Sequence, residues 1–144
     1  MGVEVRRTIH AARACVFAAW TDPAAIRLWN ARGGLRVPVA EVELRVGGAY
    51  RIDMTAPDGT VHRISGEYLE INQPKRLVYT WHAAGDLASS NSIVTVEFIE
   101  RGASTEIRLR HDRLDGQDRE VRHQRGWTAC LEKLATITER EQIT

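Results

Sequence analysis

The sequence predicts an α+β fold in which a curved antiparallel sheet of about six to seven strands wraps around one long C-terminal helix. Two observations predict it. Apolar residues alternate with a period of two through residues 37–112, and hairpin-length turns separate the runs. Residues 118–141 instead carry one apolar stripe at helical spacing. Because only this helix is long enough to cover a sheet face, the gap between the two is a natural ligand cavity.

Three short elements come before the main run of strands. Residues 3–10 alternate as a strand, and residues 11–20 have the spacing of a helix. A second short helix begins at Pro23, where the missing N–H of proline costs nothing, and Thr21 or Asp22 can cap it. We therefore expect two short helices directly after the first strand.

The turns between the later strands have recognisable chemistry. Gly47-Gly48 reverses the chain, and residues 57–59 (Pro-Asp-Gly) form a turn in which glycine supplies a positive φ. A strand ends at residues 72–74, because the proline there cannot donate to a ladder. Gly66 lies inside a strand, which indicates a bulge or a tight bend in a curved sheet.

The clearest strand pair is a hairpin formed by residues 93–100 and 105–112. The inward residues that should oppose each other are Val94, Val96 and Phe98 on one strand and Ile107, Leu109 and His111 on the other. Earlier in the chain, Val42 and Leu44 should share one face of a strand, and Asp53 should point outward from the next. Residues 84–92 form a predicted polar loop.

Length and composition set further limits. The 144 residues suit a single domain, 1–144, with one sizeable core. A net charge of +1 gives no electrostatic argument for binding to nucleic acid or to a membrane. With no signal-peptide pattern and no apolar run of membrane-spanning length, we expect a cytoplasmic protein. Cys15 and Cys130 fall in helical patterns and should be reduced core residues.

The sequence lacks the spacings of known catalytic and metal sites. The five histidines show no HxxxH or HxH spacing, so we expect no metal. Ser89, Ser90 and Ser92 are not set in a G-x-S-x-G elbow, and the glycine pairs lack a phosphate-binding fingerprint. We accordingly predict no cofactor.

The strand alternation predicts a mostly apolar cavity wall with isolated polar groups. The candidate ligand-binding residues are Trp29, Tyr50, Met54, Tyr79, Trp81, Phe98, His111, Trp127 and Leu131. These side chains could equally fill the core. His111 is either a core histidine with its hydrogen bonds satisfied or a polar anchor or proton carrier for a ligand. Gln124 and Arg125, close to Trp127, could reach the cavity mouth or form a solvated helix face.

An ordered set of motifs resembles the START-like (birch-pollen-allergen-like) superfamily and its helix-grip fold. Within it, the chain is similar to bacterial domains related to the C-terminal part of the activator of the heat-shock-protein-90 ATPase. The matching motifs are Trp20-Thr21-Asp22-Pro23, Leu28-Trp29, Gly47-Gly48-Ala49-Tyr50-Arg51, Pro57-Asp58-Gly59, Gly66-Glu67-Tyr68-Leu69-Glu70-Ile71, Pro74-Lys75-Arg76-Leu77-Val78-Tyr79-Thr80-Trp81 and Gly126-Trp127 with Leu131 and Leu134. The pattern usually has a second aromatic residue after Trp29, where this chain has Asn30.

The resemblance implies a small-ligand or lipid-binding protein, and it supplies no shared catalytic motif. Our first hypothesis is a cytoplasmic protein that binds a small hydrophobic or aromatic molecule or a lipid between sheet and helix. The second is a cyclase- or hydrolase-type enzyme in which His111 and a tyrosine form an acid–base pair. The third is an interaction module similar to the chaperone-ATPase activators. The sequence leaves open whether the chain forms a homodimer.

Overall fold

The computed structural model describes residues 2–85, 92–114 and 116–143, with side chains described as far as residue 140. Its elements in chain order are β1 (Gly2–Ile9), α1 (Arg13–Thr21), α2 (Pro23–Trp29), β2 (Arg36–Val42), β3 (Ala49–Thr55), β4 (Val61–Asn72), β5 (Arg76–Ala83), β6 (Ser92–Arg101), β7 (Ser104–Asp112) and α3 (Gln117–Ile143). The predicted α+β class, with two short helices after the first strand, is confirmed. Most of the predicted loop 84–92, including Ser89 and Ser90, lies outside the described residues.

One antiparallel sheet contains all the described strands, in the order β1-β7-β6-β5-β4-β3-β2. The β6–β7 hairpin has the predicted register, with Val94 opposite His111 and Phe98 opposite Ile107. Inward residues of this hairpin are buried while their neighbours are partly exposed, as a period of two requires. The alternation therefore fixes which side chains of β6 and β7 face the helices.

The two short helices have clear sequence causes. Asp22 is the cap of α2, because its Oδ1 accepts a hydrogen bond of 3.0 Å from the backbone N–H of Ala24, and Pro23 takes the first helical position. The hydroxyl of Thr21, the other predicted cap, donates instead to the carbonyl of Phe17 in the last turn of α1. Helix α2, which begins at this cap, buries Ile26 and Trp29.

The bulge or bend expected at Gly66 is not where the register of the sheet shifts. The shift occurs between Tyr68 and Glu70 of β4. Gly66 instead permits a close approach: a Cβ atom there would lie 2.0 Å from the carbonyl oxygen of Thr80 and 2.7 Å from Cε1 of Tyr50, its partner on β3. Glycine is required at this position because there is no room for a side chain.

Two residues of the predicted strand pattern behave differently from the expectation. Leu44 is 41% exposed, because β2 ends at Val42 and the chain then bends. Asp53 does point away from the core but is buried, because Arg51 and Arg63 cover it with hydrogen bonds of 2.7 Å and 3.0 Å.

In the described part of the chain, no helix combines the length and the hydropathy needed to cross a membrane.

Helix α3 closes the inner face of the sheet. The predicted apolar stripe is buried along its length, and its members are Trp127, Leu131, Leu134 and Thr138. The hydroxyl of Thr138 donates to the carbonyl of Leu134, so this polar group is satisfied inside the core. The arrangement is a helix gripped by a sheet, as the sequence predicted.

Candidate functional site

A cavity of about 390 Å³ lies between strands β3 to β5 and helices α2 and α3. Its apolar and aromatic lining consists of Trp29, Leu35, Tyr50, Ile52, Met54, Val61, Ile64, Tyr79, Trp81, Ala83, Ala84, Gly126, Trp127 and Cys130. Its polar lining consists of Asn30, Arg32, His62, Arg63, Arg119, Arg122 and His123. The size of the cavity and its combination of an aromatic wall with polar groups are those of a small-molecule site.

Six of the nine candidate residues line this cavity, namely Trp29, Tyr50, Met54, Tyr79, Trp81 and Trp127. Phe98, His111 and Leu131 do not line it and are fully or almost fully buried in the core. Phe98 is covered by α1, where its ring meets those of Phe17 and Trp20 at 5.2 Å and 5.9 Å.

Two tryptophans of the cavity wall, Trp29 and Trp127, pack on a third, Trp20, which lies behind them in the core and does not line the cavity. The Trp20 ring packs between Trp29, at 4.7 Å, and Trp127, at 6.2 Å and nearly parallel. The indole N–H of Trp20 donates to the hydroxyl of Tyr79 at 3.2 Å, and that of Trp29 donates to the carbonyl of Ala19 at 2.9 Å. Because these polar groups are already bonded within the protein, the aromatic wall holds its shape without a ligand.

The tyrosines of the wall are neutral hydrogen-bonding groups. The hydroxyl of Tyr50 donates to the carbonyl of Thr80 at 2.7 Å, and its ring meets that of Tyr79 edge-on at 5.2 Å. Burial raises the pKa of both phenols well above the ordinary value, and raises the pKa of the neighbouring Tyr68 to about 12. None of these groups is therefore a base at neutral pH.

His111 has a partner for each ring nitrogen. The indole N–H of Trp127 donates to Nδ1 at 3.1 Å, which places the proton of the neutral ring on Nε2, 3.0 Å from the Ser92 hydroxyl. That hydroxyl donates onward to the carbonyl of Trp81. Burial, followed by the nearby His123, lowers the pKa of His111 to about 3. His111 is thus a core histidine with its hydrogen bonds satisfied, and not a polar anchor that faces the cavity.

The cavity mouth is lined by a face of α3 that we did not identify in the sequence. Arg119, Arg122 and His123 line it, whereas Gln124 and Arg125 are exposed and do not. The helical period gives the reason: residues 119 and 123 precede Trp127 by eight and four positions, and residues 122 and 126 precede Cys130 by eight and four, so they share the face of these two residues. Counting back in steps of four from both Trp127 and Cys130 would have found them.

Asn30 and Arg32 follow α2 and bring polar groups into the cavity. Asn30 is buried and bonds the carbonyl of Ile26 through its side-chain amide. Arg32 is half-buried and donates to the backbone carbonyl of Asn30 at 3.1 Å. Neither residue follows a periodic pattern in the sequence, because both lie in a loop. Within the described ranges, no three His, Cys, Asp or Glu side chains converge as metal ligands would.

The chain is similar to known proteins over nearly its full length. The model of the family described as Activator of Hsp90 ATPase homolog 1-like protein matches residues 10–139. Protein CV1439 from Chromobacterium violaceum has 27% identity and a TM-score of 0.84, over 96% of this chain and 98% of that chain. The AHSA1 protein SPO3351 from Silicibacter pomeroyi has 25% identity and a TM-score of 0.82, over 98% and 99%.

The chain is also similar to a protein whose function is described. PFC0360w from Plasmodium falciparum, described as an HSP90 activator, has 28% identity and a TM-score of 0.75, over 95% of each chain. No curated protein matches the sequence.

Proposed function

The chain belongs to the family of Activator of Hsp90 ATPase homolog 1-like proteins, with a START-like helix-grip fold, and we propose that it binds a small hydrophobic or aromatic molecule. The site is the cavity between β3 to β5, α2 and α3. The observation that carries the proposal is this cavity of about 390 Å³ with its aromatic wall. Small-molecule pockets occupy about 300–1,000 Å³, so the cavity suits a compact ligand of one to three rings.

The packing of the aromatic wall supports the proposal, because its side chains are nearly buried and still leave open space beside them. Aromatic side chains that merely fill a core pack against one another without leaving space. Here Trp29, Tyr79 and Trp127 are nearly buried, and yet each borders the cavity. Their polar groups are held by the protein itself, so a ligand meets a preformed apolar surface and pays little to order it.

The test is a titration with N-phenyl-1-naphthylamine, a neutral molecule that fluoresces in apolar surroundings. We expect saturable binding, accompanied by a change in the intrinsic fluorescence of the tryptophans that line the cavity. No saturable change with this probe or with a panel of lipids and aromatic metabolites would overturn the proposal.

A substitution that fills the cavity tests the location of the binding site more directly. Ile52→Trp places a large side chain into the cavity from β3, and Ile99→Trp places the same side chain on the outer face of β6, where Ile99 is partly exposed. We expect Ile52→Trp to weaken binding at least about tenfold, and Ile99→Trp to leave it unchanged. Calorimetry is the appropriate readout, because both variants add a tryptophan.

A second candidate function is interaction with a chaperone ATPase. The observation that favours it is the 28% identity to the Plasmodium falciparum protein described as an HSP90 activator. The test is the ATPase rate of a purified Hsp90 chaperone with and without this protein, and an unchanged rate at saturating protein would remove this candidate.

The acid–base enzyme hypothesis has no support from the geometry. His111 has both nitrogens bonded and does not line the cavity, and the tyrosines of the wall keep their protons. A general acid or base must come within hydrogen-bond reach of the substrate.

A further inference from the structure

The polar lining of the cavity is one-sided in charge. Its charged and titratable members are four arginines and two histidines, and no carboxylate borders it among the residues that the structure describes. The whole chain is nearly balanced, with 20 basic and 19 acidic residues, so this asymmetry is not a consequence of composition. Asp118 and Glu120 lie in the first turn of α3 but do not line the cavity.

Two of these arginines, Arg63 and Arg32, differ in how their N–H donors are bonded within the protein. Arg63 directs Nε and Nη2 to the two carboxylate oxygens of Asp53, at 3.0 Å and 3.4 Å, so its donors are engaged by a carboxylate within the protein. Arg32 donates through Nη1 alone, to the backbone carbonyl of Asn30 at 3.1 Å and weakly to Sδ of Met54 at 3.8 Å. A guanidinium has five N–H donors, so most of those of Arg32 are unused within the described part of the chain.

The unused donors of Arg32 are directed at open space. No buried side-chain nitrogen or oxygen in the described residues lacks a hydrogen-bond partner, so the unbonded atoms of this half-buried side chain are accessible. Arg32 lines the cavity, which is the space that they can reach. An acceptor held there would meet two or more N–H groups in a planar arrangement.

Helix α3 leaves room for this guanidinium. Gly126 lies in the interior of α3, where glycine is unfavourable relative to alanine. A Cβ atom at this position would lie 3.3 Å from Nη2 of Arg32, closer than most real Cβ contacts. The glycine therefore lets the guanidinium lie directly against the helix, between the loop after α2 and the aromatic wall.

Among the described residues that line the cavity, no carboxylate balances the charge of Arg32. The Cys130 thiol, which also lines the cavity, stays protonated because burial raises its pKa to about 11. A cation that is partly removed from water, beside an apolar wall, gains most from an anionic partner.

These observations deepen the proposed function, on which the inference rests. We propose that the ligand is an amphiphilic anion: its carboxylate, sulfonate or phosphate group binds Arg32, and its apolar body lies against Trp29, Tyr79 and Trp127. Arg119 and Arg122 at the mouth attract such a molecule, and the unused donors of Arg32 orient it. A neutral hydrocarbon of the same shape would fill the cavity without satisfying Arg32.

The test compares two probes with the same ring skeleton. 8-Anilinonaphthalene-1-sulfonate carries an anionic group, and N-phenyl-1-naphthylamine lacks it. We expect the native protein to bind the sulfonate more tightly. In Arg32→Met we expect affinity for the sulfonate to fall about tenfold or more, the fold-change that the loss of a charge-assisted hydrogen bond produces, with affinity for the neutral probe retained.

Three further measurements make the result specific. Arg32→Lys keeps the charge and should restore part of the affinity for the sulfonate. Arg7→Met removes an exposed arginine of β1 away from the cavity and should have no effect. Competition by naphthalene-2-acetate, but not by naphthalene-2-acetamide, would extend the assignment to carboxylates.

The outcomes separate this inference from the proposed function. If neither probe binds, both fail. If both bind equally well and Arg32→Met changes neither affinity, the cavity is a binding site but the anion assignment is wrong. A preference for the sulfonate that Arg32→Met leaves intact would also overturn the role of Arg32. Retained binding of the neutral probe by Arg32→Met shows that the variant is folded.

Discussion

The substitution Gly66→Ala tests how the sheet shapes the cavity wall. The added methyl group would lie 2.0 Å from the carbonyl oxygen of Thr80, about 1 Å inside the 3.0 Å that real Cβ atoms keep from backbone atoms. It would also lie 2.7 Å from the ring of Tyr50, whose hydroxyl bonds that same carbonyl. Neither neighbour is a flexible chain end, so β4 and β5 must separate or Tyr50 must leave its place.

The magnitude follows from these contacts. Overpacking of a filled site costs about 1–3 kcal/mol, and loss of the hydrogen bond from Tyr50 to Thr80 adds about 1 kcal/mol. We therefore expect the free energy of unfolding to fall by about 3 kcal/mol. For a chain of this size that corresponds to a fall in Tm of about 10 °C.

The assay is urea unfolding followed by circular dichroism, with Gly102→Ala as the control. Gly102 has a φ of +62° in the β6–β7 turn, and a Cβ atom there meets nothing within 4 Å. Only backbone strain of about 1 kcal/mol should result. Equal losses in the two variants would refute the packing argument, because strain without a clash would then explain both. Gly66→Ala should also weaken binding of N-phenyl-1-naphthylamine, since Tyr50 borders the cavity.

Two further predictions concern buried polar groups. His111→Leu leaves the indole N–H of Trp127 unpaired, so urea unfolding should show a loss of about 2 kcal/mol. Because burial lowers the pKa of His111 from 6.5 to about 3, only the unfolded chain binds a proton at this residue between those two pH values. The stability of the native protein should therefore fall as the pH drops below 6.5, by at most about 1.4 kcal/mol per pH unit. The same pH slope in His111→Leu would refute this explanation. The pKa of Asp53 is lowered to about 2 by Arg51 and Arg63, so its contribution is present above about pH 4 and lost towards pH 2. Asp53→Asn should cost about 1–2 kcal/mol at pH 7 and only a small part of that at pH 2, and an equal cost at both pH values would contradict the ion-pair explanation.

The sequence predicted the fold well because the fold depends on local patterns. The alternation through β6 and β7 gave the register of the hairpin, in which Val96 faces Leu109 as expected. The cap at Asp22 gave the start of α2. Each of these features is decided by residues close together in the chain or by one face of one element.

The site was predicted only in part, because alternation identifies the inner face of a strand and not what covers it. Tyr79 and Phe98 both point inward, but α1 packs on Phe98 while the cavity opens over Tyr79. Which of them borders empty space depends on where the helices cross the sheet. Arg32 was missed for a different reason: it lies in a loop, and its position depends on the absence of a side chain at Gly126, far along the sequence.

Trp127 links the core to the cavity mouth. Its indole N–H is held by His111, whose other nitrogen contacts Ser92 on β6, so one hydrogen-bonded chain fixes how α3 is rotated about its axis. That rotation determines which residues of α3 face the cavity. With Trp127 in this position, the helical period turns Arg122 and His123 towards the mouth and sets Gly126 against Arg32. His111 does not line the cavity, but through its hydrogen bond to Trp127 it holds the helix that presents Arg122 and His123 to the cavity and leaves space for the Arg32 guanidinium.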